Sequence, residues 1–266
     1  MPRRRAFTLV ELLVVIGIIA VLMGVLLPAL AGARRSAQSV RCAANLRSLG
    51  AAVVLYANEN RGAVPTYQTR LPAGVYVPWY DHLAKYVFNY PASGTPPTIA
   101  NHPDFERSII VGCPRFPFEK MASTSLGYNT STGYGMTALP VAPLEPLEPD
   151  GLNYYRSPGI TAATPNGRYF KLVEFKNPAN RALIADANGW GGLSALDPGP
   201  TLYTLPPGYN KKGDMDYYRH GRLYDMNRPG ANVLFCDGHV ETLAPWQAWY
   251  SVRDPARRAA GSDKGR

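Results

Sequence analysis

The sequence is short of charge, of cysteine and of catalytic signatures. Charged residues fill 18% of its 266 positions, below the ~25% of an average soluble domain. Three cysteines are too few for a disulfide scaffold. There is no Cys-x-x-Cys pair, no nucleophile elbow and no phosphate loop, which removes the best-marked hydrolase, redox and nucleotide-binding classes. No zinc-finger spacing, RNA-binding aromatic motif or internal repeat is present, and no nucleic-acid partner is expected. A mean hydropathy of −0.17 excludes a polytopic membrane protein and leaves room for a single span. What is present is a hydrophobic content of 46%, enough for a core. The 25 glycines and 25 prolines indicate a loop-rich body. Seventeen tyrosines and eight phenylalanines favour a β-containing globule.

The net charge is +9, and much of it sits in two clusters. Arg3, Arg4 and Arg5 form one; Arg34, Arg35, Arg41 and Arg47 form the other. They bracket an apolar run, so a membrane explains the charge better than a polyanion does. From Leu12 to Ala33 there are 22 residues without a charge. As a helix they span ~33 Å, about one hydrocarbon core. The run is longer than the ~7–15 residues of a secretory signal, and large residues stand where a signal peptidase site would fall, so the span is read as retained. Glu11 interrupts it near its start. An ionised carboxylate at mid-bilayer costs ~2.5–3.5 kcal/mol, less near the interface, so an acid there is a functional candidate. Gly17, Gly24 and Gly32 share one helix face, which suits either close helix approach or an ordinary transmembrane composition. Pro28 removes one helix hydrogen bond and is expected to kink or loosen the helix.

The stretch Arg5-Ala6-Phe7-Thr8-Leu9-Val10-Glu11-Leu12-Leu13-Val14-Val15-Ile16 resembles the class III signal of type IV pilins and type II secretion pseudopilins. The resemblance implies cleavage by a prepilin peptidase between Ala6 and Phe7, N-methylation of Phe7, and Glu11 as the fifth mature residue. It departs from the family in having Ala rather than Gly before the cut. Pro28 matches the family's mid-helix proline. Loss of three arginines with the leader takes the side-chain charge from +9 to +6. In such filaments the carboxylate of one subunit pairs with the new amine of a neighbour, which implies an assembly salt bridge for Glu11. The implied topology is single-pass in a bacterial inner membrane, N-terminus cytoplasmic and head periplasmic. The implied partners are the peptidase, other pilin or pseudopilin subunits, the inner-membrane assembly platform and the lipid bilayer.

Beyond the span, Val40, Ala43, Leu46, Leu49, Val53 and Tyr56 recur every three or four residues, an amphipathic stripe ending near Asn60, before Gly62 and Pro65. Residues 138–167 hold six prolines and read as a long loop. Tyr169–Lys176 and Ala182–Ala185 read as strands. Asn232–Cys236 and His239–Leu243, joined by Asp237-Gly238, read as a hairpin with a two-residue type I′ turn. The fold class is therefore α+β, a long N-terminal helix packed on a mainly antiparallel sheet. Its parts are a leader (1–6), a transmembrane or filament-core helix (7–33), an amphipathic continuation (34–60), a globular head (61–252) and a flexible tail (253–266). The segments around Arg41–Gly50, Tyr56–Asn60, Cys113-Pro114, Leu126–Asn129, Asn177–Asn180 and Gly230–Val240 resemble a planctomycete-type pseudopilin-like group. That group carries a C-terminal His, nine residues, then Asp-Gly. Here His220 and Asp237-Gly238 have sixteen residues between them, consistent with an insertion over 222–229.

Other chemistries are weighed against this reading. In the implied topology Cys42 and Cys113 face an oxidising compartment, as a bridge or as two buried thiols. A metal or hydrolase site would draw on His220, Asp237 and His239, but Asp237 is accounted for by the turn and His239 by the strand it begins. Asp214, Asp216 and Asp225 are oxygen donors for calcium without EF-hand spacing; otherwise no cofactor is implied. The expected function is a structural filament subunit, not an enzyme. The alternatives are a membrane-anchored periplasmic binding or sensor domain that does not polymerise, and an anchored metal-dependent hydrolase.

Overall fold

The computed structural model describes residues 9–65, 68–70, 76–88, 108–110, 113–114, 133–137, 171–175, 177–187, 192–193, 215–216, 219–220 and 230–253. The loop at 138–167, the cleavage junction Ala6-Phe7, Leu126–Asn129 and the tail beyond Arg253 lie outside them. The chain forms two compact units, 1–40 and 41–266, and helix α1 (Leu9–Glu59) contributes to both.

In the first unit α1 is apolar all round. Sixteen large hydrophobic side chains between Leu9 and Leu30 are exposed, Leu9 to 78% and Val25 to 75%. Burying each such side chain yields ~1.5–3 kcal/mol, so tens of kcal/mol favour an apolar surrounding for this segment. It is long and apolar enough to cross a membrane. Pro28 lies inside the helix.

In the second unit α1 becomes one-sided. Cys42, Leu46, Leu49, Val53 and Ala57 are buried at steps of four, three, four and four. The expected stripe is thus rotated at its start. Val40 is exposed, and Cys42 takes its place because the side chains opposite it, Cys113 among them, are supplied by the head. The helix ends where expected. The Gly62 amide donates to the Ala57 carbonyl at 2.7 Å, the long-range bond of a Schellman cap. Arg61, at φ 56°, occupies the left-handed position that glycine normally fills.

The sheet has the order β5-β3-β4-β6-β7, from β3 (Tyr134–Thr137), β4 (Ala182–Asp186), β5 (Gly192–Leu193), β6 (Ala231–Phe235) and β7 (Val240–Leu243). Four strands pair antiparallel, and β5 adds a short parallel edge on β3. Both faces are covered. Tyr134, Met136, Leu183, Ile184 and Leu234 join a core with α1 and with α2 (Trp79–Phe88). Ala185, Ala231, Val233, Phe235 and Leu243 join a second core with Ala248 and Val252 of α3 (Pro245–Arg253). Double coverage explains why β4 and β6 are buried at every position and read as continuous apolar runs. A separate ribbon pairs β1 (Gln68–Arg70) with β2 (Tyr76–Pro78). At Gly50 the helix runs close to the sheet: a Cβ there would lie 3.0 Å from Leu234 Cδ1. At the helix end, Lys85 Nζ and Tyr86 Oη of α2 both donate to Glu59 Oε2, at 2.6 and 2.8 Å.

Two local expectations are corrected. Leu172–Glu174 is a 3-10 turn, not a strand. Among the described residues of Tyr169–Lys176, only Lys171 makes a β-bridge, to Ala63, and Val173 is 89% exposed. The β6–β7 turn is also different. Phe235 N donates to His239 O at 2.9 Å and Gly238 N to Phe235 O at 3.0 Å, which makes a three-residue loop. Only Gly238 there has positive φ, at 92°. A type I′ turn needs positive φ at two residues, and the β-carbon of Asp237 opposes that; a tight turn with a glycine bulge does not require it.

Candidate functional site

Two places in the chain carry chemistry. The first is the start of α1. Glu11 stands in its first turn, where the amide-rich helix end favours a carboxylate. The apolar run follows without another charge until Arg34. Around Gly17, Gly24 and Gly32 there is open space within 4 Å of a Cβ, so that face is available for a close neighbour.

The second place is a buried polar cluster in the head. The structure joins Cys42 of α1 to Cys113 across 71 residues, with their Cα atoms 5.0 Å apart. Closing a loop of that size contributes ~2–4 kcal/mol. Beside the bridge, His220 Nε2 lies 3.5 Å from Cys113 Sγ and 3.4 Å from Asp186 Oδ2. The His220 side chain is 1% exposed, and its Nδ1 has no hydrogen-bond partner among the described residues. The donor atoms of Cys42, Cys113 and His220 all lie within 4.8 Å of one another.

Asp186, at the end of β4, is fully buried. Its Oδ2 accepts from the Asn232 amide at 2.7 Å, and its Oδ1 from Arg219 Nη1 at 3.3 Å. Arg219 also donates to Asp216 at 3.0 Å, to the Ala187 carbonyl at 2.5 Å and to the Gly133 carbonyl. Such an ion pair in a dry interior is tolerable because nearly every donor and acceptor is matched. Tyr134 Oη donates to the Cys42 carbonyl at 3.2 Å, and burial holds that phenol well above its ordinary range.

His220, Asp237 and His239 divide between two environments. His220 belongs to the buried cluster, with Asp186 as its carboxylate. His239 Nδ1 contacts Asp237 Oδ1 at 2.6 Å on the exposed hairpin loop, and its ring stacks on Phe235 at 4.3 Å. Asp237 also accepts from the His239 amide at 3.1 Å, which orders the loop. Of the calcium candidates, Asp214 and Asp225 lie outside the described residues, and Asp216 is the partner of Arg219. Cys236, the remaining cysteine, is free and buried; burial pushes its thiol up to about 12. Sequence reasoning missed Asp186 and Arg219, whose only signal was an acid ending the Ala182–Ala185 run.

Residues 1–27 match the prokaryotic N-terminal methylation motif, so the N-terminus carries a type IV pilin-like prepilin signal. The match covers the signal and the first part of α1 and leaves the head outside it. No curated protein and no solved structure matches the chain.

Proposed function

We propose that the chain is a pilin-like or pseudopilin-like structural subunit. A prepilin peptidase cuts it between Ala6 and Phe7 and methylates the new amine of Phe7. The mature chain then joins a type IV pilus-like or type II secretion pseudopilus filament through an inner-membrane assembly platform. One observation carries this reading: residues 1–27 match the methylation motif, and the one acid of that stretch falls in the first turn of a fully apolar helix. Cutting before Phe7 creates a cation at the membrane surface. Glu11 of one subunit then neutralises the amine of its neighbour, and either charge alone in apolar surroundings is costly. The arginines removed with the leader favour a cytoplasmic N-terminus. The Cys42–Cys113 bridge suits a head on the oxidising side.

The test is mass spectrometry of the chain purified from its native membrane. The expected mature chain begins at Phe7 and carries one added methyl group on its N-terminal nitrogen. A chain that still begins at Met1 overturns the reading. Glu11→Ala is expected to insert and be processed yet lose co-purification with neighbouring subunits by more than ~100-fold, from the 3–5 kcal/mol of a stranded partner. A processed chain that stays monomeric with or without Glu11 assigns instead an anchored head that does not polymerise.

A further inference from the structure

The cluster around the bridge is built for more than a covalent tie. We propose that in its dithiol form the head binds one thiophilic divalent cation of the zinc class through Cys42, Cys113 and His220, with the Asp186 carboxylate beside the His220 ring. The metal and the Cys42–Cys113 bridge are alternative states of the same place.

Geometry is the first argument. A tetrahedral zinc ion with bonds of ~2.3 Å to sulfur and ~2.0–2.1 Å to nitrogen needs sulfur–nitrogen edges of ~3.5 Å. Cys113 Sγ and His220 Nε2 are 3.5 Å apart, and the donor atoms of Cys42, Cys113 and His220 all lie within 4.8 Å of one another. The two sulfurs must part to ~3.8 Å, which a bond-free pair of side chains achieves by small χ1 rotations. The second argument is satisfaction. His220 is 1% exposed, and among the described residues its Nε2 makes only two long contacts, to Cys113 Sγ and Asp186 Oδ2. Nε2 therefore has no short hydrogen bond to give up when it takes a metal.

Charge is the third argument. With the bridge closed, the buried Asp186 carboxylate and Arg219 guanidinium cancel. With the bridge open, two thiolates and Asp186 are offset by Arg219 and a divalent ion. The two states carry the same charge, so an interior that holds one can hold the other. Loading the dithiol releases two protons to solvent. Passing from the metal form to the bridge takes an external protein disulfide. The two cysteine sulfurs bond, two electrons go to the external disulfide, which takes up two protons and leaves as a dithiol, and the ion departs.

The experiment uses the full-length chain in detergent, reduced by a phosphine without oxygen, then titrated with Co2+ and back-titrated with Zn2+. The expected result is one Co2+ per chain with the intense visible bands of a tetrahedral site and a thiolate charge-transfer band, displaced by Zn2+. The bridged chain should give neither band. His220→Gln should weaken binding at least ~10-fold, Cys113→Ser should abolish the charge-transfer spectrum of the pair, and Cys236→Ser should leave it unchanged. A reduced chain that loses its circular dichroism but regains it on adding Zn2+ also supports the site. Absence of bands, an octahedral spectrum, a spectrum indifferent to His220→Gln, or a reduced chain that Zn2+ does not refold overturns it.

Discussion

The two halves of α1 are one helix written for two solvents. Between Leu9 and Leu30 every large side chain is exposed, and no side points inward. From Cys42 to Ala57 a single stripe is buried and the rest faces water. The first half turns apolar side chains outward on every side, a surface suited to lipid or to other chains. The second half is a core element of the head, locked by a bridge, a cap and a pair of hydrogen bonds from α2. The surroundings decide what a substitution does in each half.

That contrast can be broken in several ways. The largest effect is expected for Asp186→Asn, which removes the fully buried carboxylate facing Arg219 and leaves the guanidinium only Asp216 as a charged partner. Head stability should fall by ~3–5 kcal/mol in a denaturant titration followed by tryptophan fluorescence. Leu46→Ala should cost the head ~2–5 kcal/mol, while Leu22→Ala should leave the same unfolding curve where it was. Equal effects would mean the two halves share one cooperative unit.

Acid should act on the head alone. Burial pushes the His82 imidazole from its usual 6.5 down to about 4, so the unfolded chain binds the extra proton first. Stability should fall as pH drops from 6.5 towards 4, by roughly 3 kcal/mol at most, and His82→Leu should remove that part of the slope. Glu59, held below its usual range by Lys85 and Tyr86, adds a loss in the same direction at lower pH. The smallest contrast is between glycines. Gly50→Val forces a side chain against Leu234 and should cost ~1–3 kcal/mol, whereas Gly24→Val, with open space around it, should not move the melting of the head at all.

Much of this contrast was readable from the residues. The span, the helix end near Asn60, the strand at Ala182–Ala185 and the two strands of the last hairpin follow from local period and turn chemistry. Helices α2 and α3 were not foreseen. Their ten and nine residues are rich in aromatics that also suit strands, and only an acid at Asp81 and a proline at Pro245 marked their starts. The strand expected at Tyr169–Lys176 failed because alternation says nothing about whether a pairing edge is available. The buried cluster was the least legible part. Cys42, Cys113, Asp186 and His220 are far apart in sequence, and each looks ordinary alone; their meaning arises only when the sheet brings them together. The carboxylate beside His220 is Asp186, which no local spacing marks.

The placement of Cys236 bears on how the molecule matures. At neutral pH a thiol pushed up to about 12 has roughly one part in 10⁵ as the reactive anion. Once β6 is seated, this sulfur can neither invade the neighbouring bridge nor cross-link two subunits packed side by side. Three cysteines admit three pairings, and completion of the sheet removes the odd sulfur from the contest. Under oxidising conditions the speed of strand assembly therefore governs how many chains end correctly joined.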